Sequence, residues 1–258
     1  MPSDKKNAYI LTPYFLDGLE EEMMSLIKPG WQVVEPSLPV GSKQERMVEI
    51  HTVLRDLVFQ SLVAGKKPMS VAGDCCSTIG VLAGIQQAGI NPNLIWFDAH
   101  GDFNTWETTP SDFLGGMPLA MLVGMGEQLM VDEVGMTTLP EERVILTDGR
   151  DLDPGEQQNL SHSKVRHYPD VSDLLKAPLP SGPLWVHFDV DVLNLEDLPA
   201  VSYPAEGGPS SRILRQVFER LAESGQIAVI SLSSWNPELD LDGRSRDLSL
   251  EMLSILAG

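Results

Sequence analysis

Short runs of residues that are apolar at almost every position recur along the whole chain. A strand with one solvent-exposed face alternates apolar and polar residues, whereas a strand covered on both faces is apolar throughout. The runs therefore predict a mostly parallel sheet buried between two layers of helices. They lie at residues 8–11, 69–72, 94–97, 144–147, 165–168, 184–188 and 227–232.

Helical patterns fill the intervals between these runs. The longest covers residues 44–64, where Met47, Ile50 and Leu54 recur at the spacing of one helix face. Alternation of strand and helix indicates an α/β fold with right-handed crossovers. Because 258 residues suit one large α/β domain, we predict a single domain spanning residues 1–258. Shorter helices are expected at residues 77–88, 118–124, 210–222 and 248–256.

The charge and the cysteine content limit the partners of the protein. A net charge of -19 repels phosphate backbones, so we expect no nucleic-acid ligand and interpret the acidity as favouring solubility. Only two cysteines occur, and Cys75 and Cys76 are adjacent, so no disulfide framework is expected. The N-terminus is polar, and no apolar run reaches the length of about 18 residues that a membrane span needs. We therefore expect a soluble, cytoplasmic protein.

Two of the apolar runs end in clusters of potential metal ligands. The run at residues 94–97 leads into Asp98, His100 and Asp102, which occupy alternate positions. Extended backbone places alternate side chains on one face, so these three are predicted to converge. Carboxylates with one imidazole suit a divalent ion such as Mn²⁺, Zn²⁺ or Fe²⁺.

The run at residues 184–188 repeats this arrangement. His187, Asp189 and Asp191 share one face of the strand and of the turn that follows it. Two aspartates after a buried strand are costly unless something compensates their charge, and a metal ion would do so. Either cluster alone is compatible with a capped turn, but two in one α/β chain favour a metal site. His187 itself either packs behind the ligands or supplies an imidazole to them.

Three segments carry a resemblance to a known family. The sequences Asp-Ala-His-Gly-Asp at 98–102 and Phe-Asp-Val-Asp at 188–191 resemble two signatures of the arginase (ureohydrolase) superfamily. Ala-Gly-Asp-Cys-Cys at 72–76 stands where a third signature is expected. The resemblance implies a three-layer α/β/α sandwich with a mostly parallel sheet, as in arginases and deacetylases. Relatives are often trimers or hexamers, so a homo-oligomer is possible.

The resemblance also implies a pair of metal ions, Mn²⁺ in most of the family. Asp98 and Asp189 match the aspartates that bridge the two ions, and a hydroxide between the ions attacks the guanidinium carbon. Asp102 would also hydrogen-bond that hydroxide and take part in proton transfer. One ion would be completed by His100 and Asp191, and the other by Asp102 and Cys75.

Cys75 is the first departure from the family pattern, which has a histidine ligand there. A thiolate is softer and would favour Zn²⁺ or Fe²⁺ over Mn²⁺. The alternative is a buried, inert thiol with only one ion fully bound. Two further departures are Gly115, where arginases have a histidine proton shuttle, and Ser234, where they have a glutamate that pairs with the guanidinium group.

Residues matching the family's amino-acid-binding positions are retained. The resemblance implies that Asn104, Thr109 and Ser111 meet the α-carboxylate of the substrate. Asp153 and Glu156 match positions that meet the α-amino group. These two also suit a helix N-terminus, with Asp153 as the N-cap and Glu156 three residues later, and both roles are compatible.

The retained and altered positions together predict a function. We expect a hydrolase that uses a metal-bridging hydroxide to cleave a C–N bond of a guanidino or N-hydroxyguanidino amino acid, a small-molecule substrate. The less basic N-hydroxyguanidino group fits the loss of a counter-charge at Ser234, and the segments around Asp102 and Gly115 are similar to the Nω-hydroxyarginine amidinohydrolases. Alternatives are a hydrolase of another amidine and a non-catalytic, metal-binding homologue.

Overall fold

A computed structural model describes residues 6–258, so the first five residues of the polar N-terminus lie outside the described residues. Within that range an eight-stranded parallel sheet has the order β4-β1-β5-β10-β9-β6-β7-β8, and β2 pairs with β3 as an antiparallel hairpin. The strands are β1 Asn7–Thr12, β2 Tyr14–Phe15, β3 Gly18–Leu19, β4 Gln32–Val33, β5 Lys67–Ala72, β6 Asn93–Asp98, β7 Val144–Asp148, β8 Arg166–Tyr168, β9 Leu184–Asp189 and β10 Ile227–Ser233.

Helices connect the strands and cover both faces of the sheet. Helix α1 begins after Ser42, whose hydroxyl accepts from the Glu45 backbone N–H while the Glu45 carboxylate accepts from the Ser42 N–H. Short 3₁₀ turns follow several strands, including Cys75–Ser77 and Val190–Val192. The α-helices are α1 Lys43–Val63, α2 Thr78–Gln87, α3 Pro118–Leu122, α4 Leu129–Val134, α5 Pro154–His162, α6 Ser211–Glu223 and α7 Arg244–Ala257.

The sheet separates two apolar cores. Along β6, Leu94 and Trp96 face the core beneath α1 to α5, whereas Ile95 and Phe97 face the core beneath α6 and α7. Alternate residues of an extended strand point to opposite faces, so a strand that is apolar throughout fills both cores. The predicted three-layer α/β/α sandwich is confirmed.

The structure differs from the predicted elements where the elements are short or begin with polar residues. The two-residue strands and the six-residue α4 are too short to show a period. Helix α7 begins at Arg244 rather than at residue 248, because its first turn is polar and carries no apolar pattern. Within residues 6–258, no helix combines the length and the apolarity needed to cross a membrane.

Candidate metal centre

The carboxyl ends of four neighbouring strands, β5, β10, β9 and β6, meet at one edge of the sheet. Phe97 of β6 pairs with Phe188 of β9, so the next residues, Asp98 and Asp189, lie side by side. Ser233 at the end of β10 pairs with Asp189. In open parallel sheets ligands bind beyond this edge. The two predicted metal-ligand clusters and the turn containing Cys75 therefore come together where a ligand is expected.

The first group of donor atoms belongs to Asp98, His100 and Asp191, whose donors lie within 4.8 Å of one another. His100 Nδ1 lies 3.1 Å from Asp191 Oδ2 and 3.4 Å from Asp98 Oδ1. The two carboxylates also hold the turn in place. Asp98 Oδ1 accepts from the His100 backbone N–H, and Asp191 Oδ1 accepts from the Ala99 N–H. Both aspartates are buried. The turn thus fixes an O/N/O donor set.

The second group joins Cys75 to Asp98 and Asp102, again within 4.8 Å. Asp102 Oδ2 is buried and finds no hydrogen-bond partner among the residues that the structure describes. The Asp102 backbone has a φ of 49°, in the left-handed region that non-glycine residues rarely adopt. Such a conformation costs about 1–3 kcal/mol and occurs mainly at functional sites. A buried oxygen without a partner, held by a strained backbone, fits a metal ligand.

The electrostatics of this edge favour the binding of cations. Burial and then the neighbouring charge of Asp191 raise the pKa of Asp189 to about 8. Burial raises the pKa values of Asp98, Asp102 and Asp191 as well, with repulsion between the carboxylates adding to it. Burial alone would lower the pKa of His100, but its hydrogen bonds to Asp191 and Asp98 raise that pKa to about 12. Keeping all four carboxylates ionised would need more positive charge than one imidazolium supplies, and divalent ions would provide it.

Cys75, and not Cys76, faces this cluster. The Cys75 thiol is buried and donates to Asp189 Oδ2 across 2.8 Å. Burial and the charge of Asp189 raise the pKa of this thiol well above its ordinary value. Cys76 Sγ instead points to the Leu114 carbonyl oxygen, 3.8 Å away. The donor set of oxygen, nitrogen and sulfur atoms fits a divalent transition metal.

The residues predicted to bind substrate line the same cavity as the metal ligands. Asn104 Nδ2 donates to Asp153 Oδ2 across 2.9 Å. The hydroxyls of Thr109 and Ser111 lie 3.4 Å apart, and Ser111 is exposed. The cavity therefore runs from a buried acidic floor to a polar wall that reaches solvent.

Glu156 has a structural role in addition to bordering the cavity. Helix α5 begins at Pro154, and the Glu156 carboxylate accepts from the backbone N–H groups of Asp153 (3.1 Å) and Phe103 (2.7 Å). The helix N-terminus that the sequence predicts at Asp153 and Glu156 is thus present in the structure. Burial raises the pKa of Glu156 to about 7, although the two backbone hydrogen bonds oppose that shift.

Replacing Glu156 by alanine should destabilise the protein by about 2–4 kcal/mol, because two N–H donors lose their acceptor. Urea unfolding would measure the change. The matched control is Glu49→Ala, at an exposed position of α1, which should stay within about 0.5 kcal/mol of the wild type. Equal losses in the two variants would show that the carboxylate does not hold the start of α5.

An aromatic ring occupies the space beside Gly115. A Cβ atom added to Gly115 would lie 2.4 Å from two ring carbons of Phe113, closer than atoms can pack. The Phe113 ring in turn packs against Phe15, with ring centroids 6.2 Å apart, and against Tyr203 at 5.0 Å. We call Phe15, Phe113 and Tyr203 the aromatic rim, and all three line the cavity. Phe113 fills the place that the resemblance assigns to a histidine side chain.

The contact between Gly115 and Phe113 predicts a non-additive pair of substitutions. Gly115→Ala alone should cost about 1–3 kcal/mol, because the methyl group displaces the ring. In a Phe113→Ala background the same change should cost little. Urea unfolding of the two single variants and the double variant gives the coupling energy. Additive losses would mean that the ring and residue 115 do not compete for space.

Two serines at the end of β10 hold Asp189. Ser234 Oγ donates to Asp189 Oδ2, and Ser233 Oγ lies 3.3 Å from the same oxygen. Ser234 has a φ of 72°, so this residue, like Asp102, is in a strained left-handed conformation. Where a negative charge could pair with a cationic substrate group, the site therefore has a hydroxyl that already donates a hydrogen bond to Asp189.

For His187 the sequence left two roles open, packing behind the ligands or supplying an imidazole to them. It is fully buried, and its Nε2 lies 3.3 Å from Cys75 Sγ while its Nδ1 lies 2.9 Å from Ser231 Oγ. Burial lowers the pKa of His187 to about 3, so the imidazole is neutral. Its alternation with Asp189 along β9 was the available signal. The aromatic rim had none, because its residues come from three segments that are far apart in sequence.

The chain is similar in sequence and in structure to known arginases. The protein-family model described as "Arginase family" matches residues 30–257 of this chain. An arginase from Bacillus subtilis is 32% identical over 208 residues, which cover 75% of this chain and 69% of that protein. An arginase from Brevibacillus brevis is 30% identical over 227 residues, covering 83% and 76%. The crystal structure of the Bacillus subtilis arginase superposes with a TM-score of 0.81 at 25% identity and covers 99% of both chains.

Proposed function

Since this chain belongs to the arginase family, we propose that it is a metal-dependent hydrolase that cleaves a C–N bond of a guanidino or N-hydroxyguanidino amino acid. The observation that carries the proposal is the buried cluster at the sheet edge. Asp98, Asp102, Asp189 and Asp191 are all buried there within one cavity, which is costly unless cations bind.

The side chains of the cluster would hold two divalent ions. Asp98 belongs to both groups of donors, one with His100 and Asp191 and the other with Cys75 and Asp102. The chemistry that such ions supply when bound is a water nucleophile at neutral pH, because they lower the pKa of water to about 7. The proposed metals are Mn²⁺, or Zn²⁺ or Fe²⁺ because of the Cys75 thiol.

The other residues of the cavity would position the substrate and move a proton. Asp102 borders the cavity and is proposed to hydrogen-bond the attacking water and to take up its proton. Asn104, Thr109 and Ser111 supply donors for an α-carboxylate, and Asp153 supplies an acceptor for an α-amino group. Asp102 lies at the buried end and Ser111 at the exposed end, so the substrate would enter with its reacting group first.

The head group of the substrate is constrained by Ser234 and Gly115. The Ser234 hydroxyl is engaged by Asp189 and carries no charge to pair with a guanidinium group. Phe113 fills the space where a side chain at residue 115 would carry a shuttle group. An N-hydroxyguanidino group is less basic than a guanidino group, so it depends less on a counter-charge and on a proton shuttle. It is therefore the preferred substrate class.

The aromatic rim favours a second candidate, a hydrolase of another amidine with a larger apolar part. Phe113 is half-buried and Tyr203 is 47% exposed, so both have surface available to an apolar group at the cavity entrance. This candidate shares the metal cluster and differs only in what the cavity entrance accepts.

A substrate panel tests the proposed function. Protein loaded with Mn²⁺ or with Zn²⁺ is incubated with arginine, Nω-hydroxyarginine and agmatine, and the ornithine or putrescine formed is quantified. We expect ornithine from Nω-hydroxyarginine with a kcat/KM at least about tenfold above that for arginine, the size of one lost polar contact. No product from any of the three, by protein with bound metal, would contradict the proposal for amino-acid substrates.

A further inference from the structure

A third group of donor atoms lies beside the two already described. Cys75 Sγ, His187 and Asp189 place one donor atom each within 4.8 Å of one another, and all three residues are buried. On the basis of this group, and resting on the metal centre of the proposed function, we propose that His187 is a metal ligand. It would complete a Cys75–His187–Asp189 site for a thiophilic divalent cation, with Zn²⁺ preferred over Mn²⁺.

The distances suit a small tetrahedral ion. Zinc binds thiolate at about 2.3 Å and imidazole at about 2.0–2.1 Å, so tetrahedral sulfur and nitrogen ligands lie about 3.5 Å apart. His187 Nε2 lies 3.3 Å from Cys75 Sγ. The 2.8 Å between Cys75 Sγ and Asp189 Oδ2 is a hydrogen bond and would open when the thiol proton leaves. Ser233 Oγ lies 3.0–3.4 Å from the three donor atoms, which is close to the spacing between neighbouring ligands of a tetrahedral ion.

The surroundings of His187 hold the ring as a ligand is held. Metal-binding histidines orient one ring nitrogen through a hydrogen bond and bind the ion with the other. Here Nδ1 lies 2.9 Å from Ser231 Oγ, and that hydroxyl also accepts from Trp185 Nε1 at 2.9 Å. Trp96 packs on the imidazole with ring centroids 3.9 Å apart. The ring therefore keeps Nε2 directed at Cys75 without further rearrangement.

The donor chemistry distinguishes this site from its neighbour. Sulfur and imidazole donors favour Zn²⁺ or Co²⁺, whereas two carboxylates and one imidazole in the Asp98–His100–Asp191 group suit Mn²⁺ as well. The two ions of the centre would then differ in identity. His187 would then supply an imidazole ligand, which the family pattern places at residue 75 and which Cys75 cannot provide.

Zinc X-ray absorption on the wild-type protein, loaded with one equivalent of Zn²⁺, tests the proposal without any substitution. The expected spectrum contains one sulfur at about 2.3 Å and at least one imidazole nitrogen at about 2.0 Å. A zinc site with sulfur and only oxygen neighbours would overturn the assignment of His187. A site with imidazole and no sulfur would overturn it equally, because Zn²⁺ would then occupy the His100 group.

Substitutions give an independent readout in equilibrium dialysis. His187→Ser and His187→Asn should weaken Zn²⁺ binding by about 100-fold or more, since loss of an outer-shell partner alone costs 10–100-fold. Mn²⁺ binding at the other group should change far less. His51→Asn is the matched control, because His51 is equally buried but lies in α1, away from the cluster. Co²⁺ loading adds a thiolate absorption band, which Cys75→Ser should abolish.

The outcomes separate this proposal from the proposed function. Folded His187 variants that bind Zn²⁺ as tightly as the wild type would overturn the role of His187 while leaving the hydrolase intact. A wild-type protein that binds no divalent ion would overturn both. Loss of Zn²⁺ affinity in His187→Ser, with Mn²⁺ still bound at the Asp98–His100–Asp191 group, is the expected result.

Discussion

Replacing Asp189 by asparagine is expected to lower kcat by about a thousandfold or more. The carboxylate ends β9 and shares a donor group with Cys75 and His187, so neutralising it removes a ligand charge from the centre. Metal catalysis contributes several kcal/mol to such reactions, and about 4 kcal/mol corresponds to a thousandfold in rate. Product formation from the preferred substrate of the panel, at saturating Mn²⁺, measures the loss.

The same substitution should not destabilise the metal-free protein. Asparagine keeps the size of Asp189 and can still accept from the Asp191 N–H, 3.0 Å from Oδ1, while the Ser234 hydroxyl that donates to Oδ2 can rotate to accept from the amide nitrogen. It removes a buried carboxyl whose pKa is raised by burial and by Asp191. Asp173→Asn, at an exposed position, serves as the control and should retain full activity. An Asp189→Asn variant that turns over substrate at the wild-type rate would exclude this carboxylate from the metal centre.

Metal loading should raise the melting temperature by about 10 °C at pH 8, and by less at pH 5.5. A ligand at a thousand times its Kd stabilises the folded state by about 4 kcal/mol, and 1 kcal/mol corresponds to about 2–4 °C in a chain of this size. The ligands must be deprotonated to bind, so the gain grows with pH.

The metal-free protein should show the opposite trend with pH. The pKa of Asp189 is about 8 in the folded state against an ordinary 3.8, so the folded state binds more protons and loses stability as pH rises through that window. The raised pKa of His100, about 12 against 6.5, acts in the same direction from pH 6.5 upward. Thermal melts in chelator and in Mn²⁺ from pH 5.5 to 8.5 measure both curves. Parallel curves would mean that ions do not bind the carboxylate cluster.

The layers of the fold were predictable from the sequence because the sheet is buried on both faces. Between its first residue and its final aspartate, β6 is entirely apolar, and β9 has one polar residue, His187. The apolar runs of both strands therefore stand out in the sequence. The strand order could not be predicted, since it depends on which helices cross over which face. Two-residue strands such as β4 contribute too few side chains to make a pattern.

The site was predictable to the extent that it lies at strand ends. Asp98 and Asp189 end adjacent strands, and the pairing of Phe97 with Phe188 brings them together. The proximity of His187 to Cys75 depends on the pairing of β9 with β10 and on the turn after β5, neither of which is local in sequence. The filling of the Gly115 space by Phe113 depends on ring packing between loops, which no sequence period encodes.

Simultaneous measurement of bound metal and product formation tests whether ions held by the carboxylate cluster carry the hydrolysis. Metal-free protein is titrated with Mn²⁺, and each sample is divided between metal analysis and turnover of Nω-hydroxyarginine and arginine. Activity is expected to rise with bound metal and to reach its plateau near two ions per chain. Full metal occupancy without turnover of either substrate, or turnover that persists in chelator, would contradict it.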